Sequence, residues 1–231
     1  MQNKIEILCT RPVDESIIDV CAANNISVEV ISFIDTTPIE TVEVQQEIEN
    51  ALLLSTAVVF TSMNAVEAVA EFLFDALPGW RIYCMGNTTQ QLVKKYFGED
   101  CIAGTAIDAA ALADVIISAD EEEVIFFCGD IRRDELPKAL ESNNINVQEI
   151  VVYETIAVPH KIEKDYHGIL FFSPSAVESF FSANKAAAQT VFFSIGNTTA
   201  AAIKKYSDNK IITGDEPGKN ALIEKVLEYF T

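Results

Sequence analysis

Residues 84–96, CMGNTTQQLVKKY, are written a second time at residues 194–206 as SIGNTTAAAIKKY. The offset of 110 holds past the motif, from Gly104 to Gly214 and from Leu112 to Leu222. A repeat kept over such a length means one supersecondary unit built twice. It also reaches upstream. VVFTSMNAVEAV and LFFSPSAVESFF set Ser62 against Ser173 and Ala65-Val66-Glu67 against Ala176-Val177-Glu178, at an offset of 111. A second repeat, CAANNISVEVISFIDT against LESNNINVQEIVVYET, pairs Asn25-Ile26 with Asn144-Ile145 and Thr36 with Thr155 at an offset of 119.

The units therefore run X–Y–X′–Y′, with X a β-α-β unit and Y a longer alternating run. Tandem domains would join X to Y and X′ to Y′. A nested arrangement would make Y–X′ one continuous domain and split the other between the chain ends. X′ follows Y after a few polar residues near SADEEE, as inside a compact domain. The connectors DTTPIETVEVQQEIENALLLS and TIAVPHKIEKDYH are longer, and each holds a proline, as suits a crossing between domains. This favours nesting, with residues 38–154 inserted into a domain made of 1–37 and 155–231.

Short apolar runs alternate with helical stretches throughout. KIEILCT, ISVEVISFI, TAVVFTS, RIYCMG, DCIAG, EEVIFFCG, VQEIVVYET, GILFFS, TVFFSIG and NKIITG read as strands, and residues 14–24 and NALIEKVLEYF as helices. Parallel neighbours need crossovers, so the pattern predicts α/β with mainly parallel sheets flanked by helices.

A formal charge of −19 argues against nucleic acid and against an anionic membrane surface as partners. The N-terminal apolar run is too short and interrupted for a signal peptide or membrane span. Cys9, Cys21, Cys84, Cys101 and Cys128 form no CxxC and no metal-ligand spacing. Buried free thiols in a reducing cytoplasm are the expectation. His160 and His167 lie in a polar connector and are not read as ligands. GDEPGKN around Lys219 is too short for a phosphate loop and lacks the Ser/Thr that magnesium needs. With no cofactor motif, an enzyme here would work by positioning and acid–base chemistry.

Asn87, Thr88, Asn197 and Thr198 read as helix caps, and the helix starts they mark attract anions. Only four arginines oppose 35 acidic residues, and Arg11, Arg132 and Arg133 stand just beyond strand C-termini, where α/β sheets bind ligands. Their planar forks suit carboxylates. A non-catalytic two-domain protein that clamps an anion explains the duplication as well as an enzyme does. It does not explain Tyr153, whose counterpart at the 119 offset is Ile34.

CTRP, FTSMNAVEA, MGNTT, GDIRRDELPKAL, VVYET, FFSPSAVESF and IGNTT, in this order over nearly the whole chain, resemble the uroporphyrinogen-III synthase family. Asn87 and Asn197 depart from the family's more usual proline or small residue, and GDIRRDEL lacks a second glycine often seen there. The resemblance implies two α/β domains joined by a pair of linker strands, with the active site in the cleft between them. The implied substrate is linear hydroxymethylbilane, a tetrapyrrole with eight carboxylates. Loss of its hydroxyl leaves a cationic azafulvene, and attack at the substituted carbon of ring D gives a spiro intermediate. Rearrangement then yields uroporphyrinogen III; unassisted closure gives isomer I. Tyr153 would be the general acid. Arg11, Ser62, Thr88, Thr89, Arg132, Arg133, Ser173, Thr198 and Thr199 would bind carboxylates. No metal or organic cofactor is implied. A monomer is expected, since neither half shows a spare apolar stripe, with room for a transient contact with the preceding pathway enzyme.

Overall fold

The computed structural model describes residues 4–73, 77–86, 88–215 and 219–231. The chain starts with β1 (Ile5–Cys9), α1 (Glu15–Ala23), β2 (Ile26–Val30), β3 (Ile34–Pro38) and α2 (Val42–Leu52). There follow β4 (Ala57–Phe60), α3 (Met63–Ala70), β5 (Arg81–Met85), α4 (Thr88–Phe97), β6 (Ile102–Ala106) and α5 (Ala109–Ser118). Next come β7 (Glu123–Gly129), α6 (Glu135–Ser142), β8 (Asn146–Ala157), β9 (Gly168–Phe171) and α7 (Pro174–Ala183). The series ends with β10 (Val191–Ser194), α8 (Asn197–Lys204), β11 (Ile211–Thr213) and α9 (Lys219–Phe230).

These elements gather into two compact units, one of Met1–Asp35 with Ile156–Thr231 and one of Thr36–Thr155. The first holds a five-stranded sheet in the order β11-β10-β9-β1-β2, parallel at every step. The second holds a six-stranded sheet in the order β3-β8-β7-β4-β5-β6, whose pairs from β8 to β6 are parallel. Without β3, the two orders match strand for strand: β2 with β8, β1 with β7, β9 with β4, β10 with β5 and β11 with β6. That correspondence is the physical content of the two repeats.

Each sheet is covered on both faces because successive strand residues point to opposite sides. Val58 and Phe60 of β4 face α2, α3 and α4 with Trp80, Phe97 and Phe127. Ala57 and Val59 face α5 and α6. In the other unit Leu8 and Phe171 face α7 and α8, whereas Ile7 and Leu170 face α1 and α9. Fully buried phenylalanines such as Phe60, Phe127, Phe171 and Phe192 each contribute roughly 1.5–3 kcal/mol of burial free energy.

The Asn-Asn-Ile repeat marks a shared helix ending. Asn25 and Asn144 follow the caps of α1 and α6 with φ of 60° and 62°, a left-handed turn that asparagine tolerates better than most residues. Each turn feeds the chain directly into β2 or β8.

ISVEVISFI is not one strand. It ends as β2 at Val30 and resumes as β3 at Ile34, because β3 belongs to the six-stranded sheet. Between them, the Ile31 N–H donates to the Cys9 carbonyl at 3.0 Å and Phe33 is fully buried. The DTTPIETVEVQQEIENALLLS connector, expected as a plain linker, contains a helix: α2, capped by Thr41, with Val44, Ile48 and Ala51 on its apolar face. No helix among the described residues is long and apolar enough to cross a membrane.

Candidate active site

The duplicated order puts the same two strand ends side by side in each unit, β1 with β9 and β7 with β4. There the sheet reverses its direction of growth, and ligands of open α/β sheets bind beyond the carboxyl ends at such points. Thr10 locks the first exit, donating to the Leu170 carbonyl from its N–H at 3.1 Å and its hydroxyl at 2.7 Å. Arg11 comes next, exposed, with its guanidinium 5.9 Å from the Phe172 ring centre. Ser173 caps α7 by accepting the Ala176 N–H at 3.2 Å, with Pro174 at the first turn.

The GNTT motifs start α4 and α8. Asn197 and Thr198 are not caps: Gly196 holds that position in extended backbone, so no side chain receives the first N–H groups of α8. Thr88 is likewise the first residue of α4, and the proposed cap Asn87 lies outside the described residues. Thr89 and Thr199 are buried, which leaves Thr88 and Thr198 as the threonines facing solvent. Glu216, Pro217 and Gly218 of GDEPGKN also lie outside the described residues.

The arginines divide into two kinds. Arg81 forks onto Glu121 at 2.6 and 2.9 Å, a carboxylate that also takes the Tyr83 hydroxyl at 2.9 Å. Arg132 is held from Nε by Glu149 at 2.6 Å, again by Glu149 from its terminal nitrogen, and by Asp134 at 2.8 Å. Arg11 and Arg133 make no ion pair with a described carboxylate. Of the two neighbours after β7, Arg133 is the one with its fork unoccupied, whereas Arg132 is committed to protein carboxylates.

Tyr153 stands on β8 opposite Gly129 of β7, just past an irregularity in register after Cys128. Its hydroxyl donates to Ser62 Oγ at 3.1 Å. Ser62 lies two residues beyond β4 and caps α3, accepting the Asn64 N–H at 3.2 Å. The ring lies across the bare backbone of Gly129: a β-carbon there would sit 2.4 Å from Tyr153 Cζ. Asp130 fixes the strand on both sides, its N–H donating to the Tyr153 carbonyl at 3.1 Å and its carboxylate accepting the Thr155 N–H at 2.9 Å. Burial raises the phenol's pKa above its ordinary value, opposed by the hydrogen bond with Ser62 and reinforced by the nearby Cys128 and Asp130, so it is a neutral donor at pH 7. Gly129, Asp130 and Glu149 are contributors that sequence reading missed. The Gly-Asp pair closing β7 was the one signal for them.

Tyr153 also borders an open pocket of ≈ 390 Å³ along α3, with Pro38, Asn64, Glu67, Glu71 and Tyr96. Its lining offers two carboxylates and no Lys or Arg, so it repels anions. The thiols of Cys9, Cys21, Cys84 and Cys128 are buried, and burial pushes those of Cys84 and Cys128 up to about 11. His167 accepts the Glu6 N–H at Nδ1 (3.1 Å) and His160 packs edge-on against Phe33. Among the described residues no cluster of three or more His, Cys, Asp or Glu is placed to hold a metal.

A family model described as uroporphyrinogen-III synthase HemD matches residues 15–224. Uroporphyrinogen-III synthase of Saccharomyces cerevisiae is 25% identical over 226 residues, covering 79% of each chain. The porphyrin biosynthesis protein HemD of Ruminiclostridium josui is 27% identical over 189 residues, 74% of this chain and 37% of that longer relative. Among solved structures, uroporphyrinogen-III synthetase of Helicobacter pylori superposes with a TM-score of 0.68 at 17% identity, over 97% of this chain and 99% of its own. A mutant uroporphyrinogen III synthase of Thermus thermophilus gives 0.57 at 12% identity, over 98% of both chains. The structures speak for the fold. The match over residues 15–224 decides the family, and the chain belongs to the uroporphyrinogen-III synthases.

Proposed function

We propose that this chain closes hydroxymethylbilane with loss of water and inversion of ring D, giving uroporphyrinogen III. Such a reaction asks the protein for carboxylate anchors, a proton for the departing hydroxyl and a hold on the terminal ring. Arg11 and Arg133 supply unpaired forks at equivalent strand exits, and the starts of α3, α4, α7 and α8, with Thr88, Thr198 and Ser173, supply N–H and hydroxyl donors. Tyr153 is the source of the proton. The carrying observation is its phenol, hydrogen-bonded to Ser62 at 3.1 Å, whereas Ser173, the duplicate of Ser62, caps α7 with no phenol hydrogen-bonded to it among the described residues. The fold itself therefore does not require a phenol there.

The free thiols of Cys21, Cys84, Cys101 and Cys128 support a setting in the cytoplasm, and the enzyme is expected to act as a monomer that meets its bilane supplier transiently. The test is incubation with freshly generated hydroxymethylbilane, followed by isomer analysis of the oxidised porphyrins. Isomer III in excess of isomer I supports the reading. A protein that binds the bilane yet leaves only isomer I is an anion-binding protein and not a synthase.

A further inference from the structure

We infer that the proton reaches the departing hydroxyl from Ser62, with Tyr153 standing behind it as the donor that replaces it. This rests on the synthase reading above and assigns the two hydroxyls an order. A serine hydroxyl has two lone pairs and one hydrogen. The lone pairs of Ser62 are both engaged, one by the Asn64 N–H at 3.2 Å and the other by the Tyr153 phenol at 3.1 Å. Its hydrogen has no acceptor among the described residues. The Tyr153 hydrogen, by contrast, is already committed to Ser62. In this arrangement the group free to donate outward is the serine.

The duplicated unit supplies the comparison. Ser173 holds the equivalent place and caps α7 through the Ala176 N–H at 3.2 Å, with no phenol hydrogen-bonded to it among the described residues; Ile34, the residue at the 119 offset from Tyr153, lies on β3 beyond the break after β2. Capping alone thus needs no phenol. Ser62 differs from its duplicate in being a cap that also receives a proton donor. A hydroxyl that accepts a hydrogen bond becomes a stronger donor, since bonds in a chain polarise one another.

The step balances. The carbon–oxygen bond of the hydroxymethyl group breaks and its electron pair leaves with the oxygen. The Ser62 hydrogen moves to that oxygen, completing water, as the Tyr153 hydrogen moves to Ser62 Oγ. A phenolate and an azafulvene cation remain. Ring closure later releases one proton from the attacked pyrrole, and its return to Tyr153 restores both hydroxyls.

The test measures single-turnover rates for Ser62→Gly, Ser62→Thr, Tyr153→Phe and the Ser62→Gly/Tyr153→Phe pair, with melting curves alongside. Glycine is itself an accepted residue at a helix start, so Ser62→Gly removes the hydroxyl and spares α3. Each single variant is expected to slow isomer III formation by about 10²-fold, the lower end of acid catalysis. The pair should be no slower than Ser62→Gly, and Ser62→Thr should recover most of what glycine loses. Rates in H₂O–D₂O mixtures, measured on the unaltered protein, should bow with deuterium fraction because two protons move. A linear dependence, or a Ser62→Gly protein that keeps its rate while Tyr153→Phe is slow, means that Tyr153 donates directly. Multiplying losses in the pair also overturn the relay. If the unaltered protein forms no excess of isomer III, the synthase reading fails, and the relay with it.

Discussion

Gly129 and Tyr153 face each other across β7 and β8 so closely that a β-carbon on Gly129 would stand 2.4 Å from the ring's Cζ and 2.8 Å from its hydroxyl oxygen. The glycine is what lets the phenol lie flat toward Ser62. Gly129→Ala is expected to displace the ring, destabilise the protein by about 1–3 kcal/mol and raise isomer I in the product. Gly104→Ala is the control, since its β-carbon would meet Val115 Cγ1 at 2.5 Å, in the core and against Tyr83. It should lower the melting temperature without changing the isomer ratio. Equal ratios in both variants would show that Gly129 does not place the phenol.

The Arg81–Glu121–Tyr83 cluster should make stability depend on pH at both extremes. The hydrogen bond from Arg81 holds the Glu121 carboxyl below its usual range, helped by the Tyr83 phenol and opposed by burial. Its contribution is therefore complete above the unfolded value near 4.5 and is lost as pH falls through the lower folded value. Tyr83 is pushed up to about 12, first by burial and then by Glu121. Its contribution is complete below 10 and disappears as pH rises from there to about 12. Urea unfolding across pH should show a smaller acid loss in Glu121→Gln and a smaller alkaline loss in Tyr83→Phe.

The unit Thr36–Thr155 contains a whole six-stranded sheet with helices on both faces, so we expect it to fold alone. Expressed as a fragment, it should unfold cooperatively in urea and give a dispersed amide spectrum. A disordered fragment, beside a folded fragment of residues 1–119, would favour tandem domains instead.

What could be read in the sequence and what could not divide along physical lines. The parallel sheets were legible because burial on both faces writes short continuous apolar runs, and the duplication was legible as the offsets of 110 and 119. The split of ISVEVISFI was not, because residues 26–34 keep a strand-like composition through the break. The bond from the Ile31 N–H to the Cys9 carbonyl is the last rung of β2 on β1, after which the Phe33 carbonyl takes the Val158 N–H at 2.9 Å. That Tyr153 stands apart from the duplication was legible, since Ile34 is its match at the 119 offset. Gly129 was not, since only the register between β7 and β8 brings it under the ring. Arg132 and Arg133 look alike in sequence, and Glu149, on another strand, separates them.

That separation makes a sharp kinetic contrast. Arg11→Ala and Arg133→Ala each remove a fork that no described carboxylate occupies. A hydrogen bond to a charged group is worth about 1.5–3 kcal/mol, so KM should rise by roughly 10- to 150-fold with kcat little changed, the pattern of lost uniform binding. Part of that cost should shrink as added salt screens the remaining attraction. Arg132→Ala removes partly exposed ion pairs to Glu149 and Asp134 and should lower stability by no more than about 1 kcal/mol, leaving KM near its original value. Steady-state kinetics on the three variants at two salt concentrations decide the matter. If Arg132→Ala raises KM as far as Arg133→Ala does, Arg132 must exchange Glu149 for the substrate on binding. If Arg11→Ala and Arg133→Ala leave KM unchanged, neither fork takes a substrate carboxylate, and the helix starts with their threonines and serines must hold the bilane without them.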